Sequence, residues 1–301
     1  MAKPKIELSI IIISYNTKKI TEDCIKSIEI SLRRSSLIYE IIFVDNASTD
    51  GSVEKIENGG LRMDNVKIIK NTRNVGFAKA NNQAVHEANG DYLLLLNSDT
   101  VVLDNAIEKL LLFYRRNELT IHFLGGKLLN KDRTPQASCG PFYSLPVIFG
   151  ALFLKGDYWG LTRYSPNTVK EVDWVSGACI LTKKEYYIAL DGFDENIFMY
   201  MDEIDLLYRA KQKGYRVFFH PEAEFIHLGS ASSGERTYPI LQVYRGFIYF
   251  YRKHHDSKQS VFLLKFMLQL KGWIAIIIGK CTHNSYLIKT YEEALKLAQM
   301  A

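Results

Sequence analysis

Four short runs of β-branched and aliphatic residues, at 8–13, 40–44, 66–69 and 92–96, punctuate the first hundred residues. Amphipathic segments of helical length separate them, at 18–32, 52–57 and 77–88. This alternation predicts βαβ units around a mostly parallel sheet, and the near-continuous hydrophobicity of the runs predicts helices on both faces. Ligands of such α/β sheets bind beyond the carboxyl ends of the strands. The positions to inspect are therefore Ser14-Tyr15-Asn16, Asp45-Asn46, 71–76 and Asn97-Ser98-Asp99.

The second half is less regular. Residues 127–172 carry Pro135, Pro141, Pro146 and Pro166 among many aromatics, which predicts long loops over the sheet. A strand is expected at 174–181, a helix at 201–213, and two short strands at 216–219 and 224–228. Near the end, 261–279 is strongly apolar but interrupted by Lys265, Gln269 and Lys271. Lys265, Gln269 and Gly272 follow an i, i+4, i+7 spacing, a narrow polar stripe on a helix that falls short of a good membrane span. Such a helix suits an anionic membrane surface, or packing against the rest of the chain or a second copy in a homodimer. The division expected is 1–240 as a catalytic domain and 241–301 as a basic, amphipathic helical region.

Composition supports a packed core: 301 residues with 47% hydrophobic and 24% charged exclude a disordered chain. The net charge is +5, and the stretch from Arg245 onward holds nine Lys/Arg against three Asp/Glu, so the basicity belongs to the tail. The remainder shows neither a basic patch nor a nucleic-acid recognition module, so no nucleic-acid partner is expected. The four cysteines lie far apart, and residues 1–5 are too short and polar for a secretory signal. A cytoplasmic location is expected, with a peripheral membrane contact through the C-terminal region.

The chemistry rests on carboxylates at strand and helix ends. Magnesium and manganese take oxygen ligands, commonly one or two carboxylates plus substrate phosphates, so Asp99 is the first metal candidate and His227 a second. Asp99 reads equally well as an N-cap for a helix over 101–110, and His227 alone as a structural histidine. Asp45 can accept the imide N–H of uracil or thymine, although Asp-Asn-Ala-Ser-Thr-Asp-Gly is also strong turn sequence. Asp202 and Asp205 share one helical face while Glu203 points about 100° away. A carboxylate there can serve as a general base, or simply favour a helix N-terminus. Neither a Gly-x-Gly-x-x-Gly fingerprint nor a P-loop occurs.

Taken together, SIIIISYN (9–16), VDNASTDGS (44–52), NVGFAKANN (74–82), LLNSDT (95–100), WVSGACIL (174–181), DGFDENIFMYMDEIDL (191–206) and His227-Leu228-Gly229 form an ordered set. In these motifs the chain resembles the family 2 glycosyltransferases, particularly their rhamnosyltransferase-like branch, over most of residues 8–230. The resemblance implies an α/β glycosyltransferase-A fold and an inverting, metal-dependent hexosyltransferase. It assigns the nucleotide-sugar donor to Ser14, Tyr15, Asn16, Asp45, Asn74, Gly76, Phe77, Asn81, Asn97 and Ser98. Asp99 and His227 would hold Mn2+ or Mg2+, with Asn97-Ser98-Asp99 standing where many relatives carry two aspartates. Glu203 is the expected base with Asp202 second, and Trp174, Gly177 and Ala178 border the acceptor pocket. By the same resemblance the acceptor is a saccharide or lipid-linked saccharide in cell-surface polysaccharide synthesis, and the branch suggests dTDP-rhamnose or a UDP-sugar as donor. The competing readings are a sugar nucleotidyltransferase, which would carry a glycine-rich basic loop after the first strand, and a non-catalytic carbohydrate-binding relative.

Overall fold

The computed structural model describes residues 5–58, 65–229, 237–255 and 257–300. The polar start of the chain at 1–4, part of the stretch read above as too short for a signal, lies outside the described residues. The first half alternates as its pattern predicts. β1 (Leu8–Ser14), β2 (Tyr39–Asp45), β3 (Val66–Lys70) and β4 (Tyr92–Leu96) alternate with α1 (Lys18–Leu32), α2 (Ser52–Asn58) and α3 (Phe77–Glu87). All four strands pair in parallel in the order β3-β2-β1-β4. Their apolar side chains feed two cores, one on each face: Ile11, Ile42 and Leu95 on one side, Ile10, Phe43 and Leu94 on the other. That two-sided burial is why the strands read as continuous hydrophobic runs.

Residue 99 precedes a strand rather than a helix. β5 (Thr100–Val102) follows it directly, and α4 (Ala106–Arg116) starts four residues after β5 ends. The stretch 127–172 is more ordered than its prolines suggest. It completes β6 (Phe123–Leu129) and adds β7 (Pro135–Gln136), β8 (Cys139–Gly140), α5 (Leu145–Phe153) and β9 (Lys170–Val172). Pro146 sits in the first turn of α5, where its missing N–H costs nothing.

The strand expected over 174–181 is two: β10 (Trp174–Val175) and β11 (Cys179–Lys183), broken at Ser176-Gly177-Ala178. After α6 (Lys184–Ala189) and α7 (Asp202–Gln212), the two strands expected over 216–228 merge into β12 (Val217–His227), with a register shift between His220 and Glu224. The ten-stranded sheet runs β3-β2-β1-β4-β11-β6-β12-β5, with β7 on β6 and β9 on β12. β11 is antiparallel to both β4 and β6, so the sheet is parallel on the β3 side and mixed beyond β4.

Three helices close the chain: α8 (Thr237–His254), α9 (Lys258–Cys281) and α10 (Ser285–Met300). α8 joins the main core, where Tyr244, Phe247 and Phe250 are buried with Trp174, Met201 and Ile204. α9 overturns the expectation that the segment falls short of a membrane span and follows the expected alternative of packing against the rest of the chain. It is long and apolar enough to cross a membrane, with a mean hydropathy of 1.9 over its best 18-residue window. Its polar stripe also faces the protein: Gln269 donates to Ala298 O on α10, and Gly272 is buried against Leu295. A Cβ at Gly272 would lie 2.8 Å from the Leu295 side chain, so glycine permits the close α9–α10 approach.

Candidate active site

A cleft of about 520 Å³ opens beyond the carboxyl ends of β1 and β4. Its walls include the predicted Phe77, Asn97, Ser98, Asp99, Trp174, Gly177, Ala178, Asp202, Glu203 and His227. Thr17, Gln136, Tyr143, Asp157 and Arg163 also line it, as do Val243 and Phe247 of α8, so the C-terminal region supplies one wall.

Sheet pairing assembles the polar end of this cleft. β5 lies antiparallel to β12 with His227 opposite Thr100, which sets His227 Nε2 3.3 Å from Asp99 Oδ1. The proton on His227 can be placed from its neighbours. The Gln136 amide nitrogen donates to Asn130 Oδ1 and to His227 O, both at 3.1 Å, so its Oε1 faces His227 Nδ1 at 2.7 Å. Nδ1–H therefore donates to Gln136, and Nε2 keeps a lone pair beside Asp99, with the Asn97 amide nitrogen 3.4 Å away. That lone pair and the Asp99 carboxylate are two electron-rich groups side by side, and Asn97 Oδ1 is buried nearby without a hydrogen-bond partner. This donor set fits a divalent cation. Among the described residues no group of three His, Cys, Asp or Glu side chains forms a fuller set.

The opposite wall is the start of α7. Tyr200 and Met201 adopt positive φ (64° and 67°), an unfavourable conformation for such side chains that turns the chain sharply into the helix. Asp202 is buried, whereas Glu203 lies in the cleft, where a Cβ on Gly177 would be 3.5 Å from its own Cβ. Burial, then the adjacent Glu203 charge, pushes the Asp202 carboxyl well above the usual range. Burial also raises Glu203, against the opposing field of the Arg163 guanidinium. Both carboxyls are thus held above the usual range, Asp202 well above it. Asp205, on the next turn, is turned away from the cleft: it is fully buried and bonded to Arg209, Lys253 and His254.

Arg163 lies over the Trp174 ring at 5.7 Å, and its Nε is buried without a partner. Trp174 stacks on Tyr143, with centroids 6.0 Å apart, and donates Nε1–H to Pro141 O. Ala178 O accepts a hydrogen bond from Asn97 N, which ties the turn at 176–178 to the loop after β4.

The remaining donor-side candidates lie outside the cleft walls, at the ends of β1 and β2, in the loop after β3 and in α3. Asp45 is buried: Oδ2 accepts from Ser48 N, as its turn sequence predicts, while Oδ1 has no partner. Ser14 Oγ bonds Thr17 and Thr21. Asn16 joins the two loops through Ser48 and Thr49, and Tyr15 is exposed beside it. Asn74 and Gly76 belong to a loop pinned by Asn46, which donates to Asn74 Oδ1 and accepts from Val75 N. Gly76 has φ 88°, and any Cβ there would meet Phe198 at 2.9 Å. Asn81 is buried and donates to Phe77 O within α3.

Comparison with known proteins agrees with this geometry. The model for glycosyl transferase family 2 matches residues 9–154. An N-acetylglucosaminyl-diphospho-decaprenol L-rhamnosyltransferase of Mycobacterium tuberculosis is 24% identical over 246 residues, 75% of this chain and 78% of that one. The family match spans just under half of the chain and, with the rhamnosyltransferase relatives, supports kinship with glycosyltransferase family 2. The chain is also 27% identical to the rhamnosyltransferase WbbL of Escherichia coli K12 over 162 residues, half of its own length and 60% of the relative's. In fold it superposes with a TM-score of 0.60 on a mannosyltransferase from Pyrobaculum calidifontis solved with GDP-Man and Mn2+, at 15% identity, covering 98% of this chain and 75% of that one. A GalNAc-T7 structure with UDP, GalNAc and Mn2+ gives 0.63 at 15% identity, with 99% and 57% covered. The glycosyltransferase-A fold and rhamnosyltransferase-like kinship expected from the motifs are therefore correct, and the protein is a glycosyltransferase.

Proposed function

We propose that this glycosyltransferase is inverting and uses a divalent metal. It moves a sugar, rhamnose from dTDP-rhamnose in the first instance or a hexose from a UDP-sugar, onto a saccharide or lipid-linked saccharide in cell-surface polysaccharide synthesis. The observation that carries this reading is one cleft with Glu203 and Asp202 on one wall and Asp99 and His227 on the other. The related rhamnosyltransferases, one named for an N-acetylglucosaminyl-diphospho-decaprenol acceptor, support the choice of sugar and acceptor class.

In this account Asp45 Oδ1 accepts the N3–H of the pyrimidine, a bond that cytosine has no proton to make. Glu203 takes the proton of the acceptor hydroxyl as its oxygen bonds to the anomeric carbon. The bond from that carbon to the nucleoside diphosphate breaks on the opposite face, so configuration inverts. Asp99 and His227 would hold Mn2+ or Mg2+, which would supply positive charge to the departing diphosphate. A raised Glu203 carboxyl is a stronger base than an ordinary glutamate.

Glu203→Gln keeps the shape of the cleft and removes the base. Transfer should fall about 10²–10⁴-fold with donor affinity retained. Near-normal transfer would remove Glu203 from this role.

A further inference from the structure

The outward side of α9 is more apolar than the side it packs with. Phe262, Phe266, Leu270, Trp273, Ile274 and Ile277 share that side and are exposed, Phe262 by 68% and Trp273 by 56%. The inward side carries the small residues Gly272, Ala275 and Gly279 beside Leu264 and Leu268, all buried. A water-facing helix shows the reverse arrangement. The exposed row runs for about 23 Å at 1.5 Å per residue. α5 packs against α9, where Lys271 Nζ donates to Leu152 O. It exposes Phe149, and the turn after it exposes Leu154, Tyr158 and Trp159. An apolar area this large marks an interaction surface.

We infer that this face docks on an anionic lipid bilayer, with α9 lying in the interface rather than crossing it. Charge favours the bilayer over a second copy: from Arg245 onward basic residues outnumber acidic ones nine to three, and exposed Lys258 and Lys280 flank the apolar row. Two copies would bring these like-charged segments together, whereas anionic headgroups neutralise them. Tyr158, Trp159 and Trp273 are the residue types that settle at a membrane–water boundary. Crossing is opposed by α10, which packs along α9 and exposes Lys289, Glu292, Glu293 and Lys296. A spanning α9 would draw those charges into hydrocarbon. Asp157 and Arg163, on either side of Tyr158 and Trp159, line the catalytic cleft. The docking face therefore borders the acceptor end, which deepens the reading of a lipid-linked acceptor.

The test is flotation of the full chain with phosphatidylcholine vesicles containing phosphatidylglycerol, beside Phe266→Ser/Trp273→Ser/Ile277→Ser. These side chains are exposed and remote from the cleft, so the variant should keep donor hydrolysis, which reports the enzyme separately from docking. The wild type should rise with the vesicles and the variant should stay at the bottom. A wild type that stays down, or a variant that rises equally, overturns the inference. A wild type that stays down and sediments as a dimer, where the variant is a monomer, assigns the face to a second copy instead.

Discussion

Glu203 and Arg163 are opposed through the cleft: burial raises the glutamate, and the guanidinium partly offsets that rise. Arg163→Gln removes the cation and leaves the burial, so the Glu203 carboxyl should rise further. The active form is the deprotonated base, so the acidic limb of the pH–rate profile should move to higher pH. The variant should therefore lose more activity at mildly acidic than at alkaline pH, as kcat/KM measured across pH will show. An unmoved limb would mean that Arg163 does not act on the base. Asp45, Asp99, Glu203 and His227 were legible in the sequence because each stands in a local motif at a strand or helix end. Gln136 and Arg163 were not. Gln136 orients a histidine 91 residues away, and only the pairing of β7 with β6 and β6 with β12 brings the two together. Arg163 sits in a proline- and aromatic-rich stretch with no periodic pattern to mark it.

At the scale of elements, α7 does two jobs on two faces. Glu203 serves the cleft, while Asp205 anchors α8 through His254 and Lys253 and bonds Arg209 one turn later, with contacts of 2.7 to 2.8 Å. Burial alone would raise the Asp205 carboxyl, but these three partners outweigh it and hold it below the usual range. Its stabilising contribution is thus complete above the ordinary carboxylate range and fades as pH falls through the lowered value. Asp205→Ala should cost about 3–5 kcal/mol in urea unfolding at neutral pH, because it strips a buried partner from charged neighbours. The deficit should shrink in acid, and a pH-independent deficit would contradict the assignment. Sequence reading placed the helix and put Asp205 on the face of Asp202, since helical spacing puts residues on faces without saying what each face meets. The same limit applies to α9, whose spacing marks a polar stripe without saying that its Gln269 and Gly272 meet α10. The strand at 174–181 was read as continuous because Val-Ser-Gly-Ala stays apolar enough to hide its break. That break is what brings Gly177 against Glu203.

At the scale of the molecule, a parallel half-sheet carries the loops of Asp45 and Asn74, and a mixed half adds β5, β11 and β12, whose pairing brings Asp99 and His227 together. The parallel half was legible because each strand is a hydrophobic run between amphipathic helices. The mixed half was legible only as motifs, because its order depends on pairings between strands far apart in sequence. The central claim is that sugar transfer occurs in this cleft with Asp99 holding a divalent ion. The most direct measurement is nucleoside diphosphate release from dTDP-, UDP- and GDP-sugars, with Mn2+ and with EDTA, for wild type and Asp99→Ala. The account predicts metal-dependent release from a thymidine or uridine donor, lost in EDTA and in the variant. Release that persists undiminished in both would contradict it.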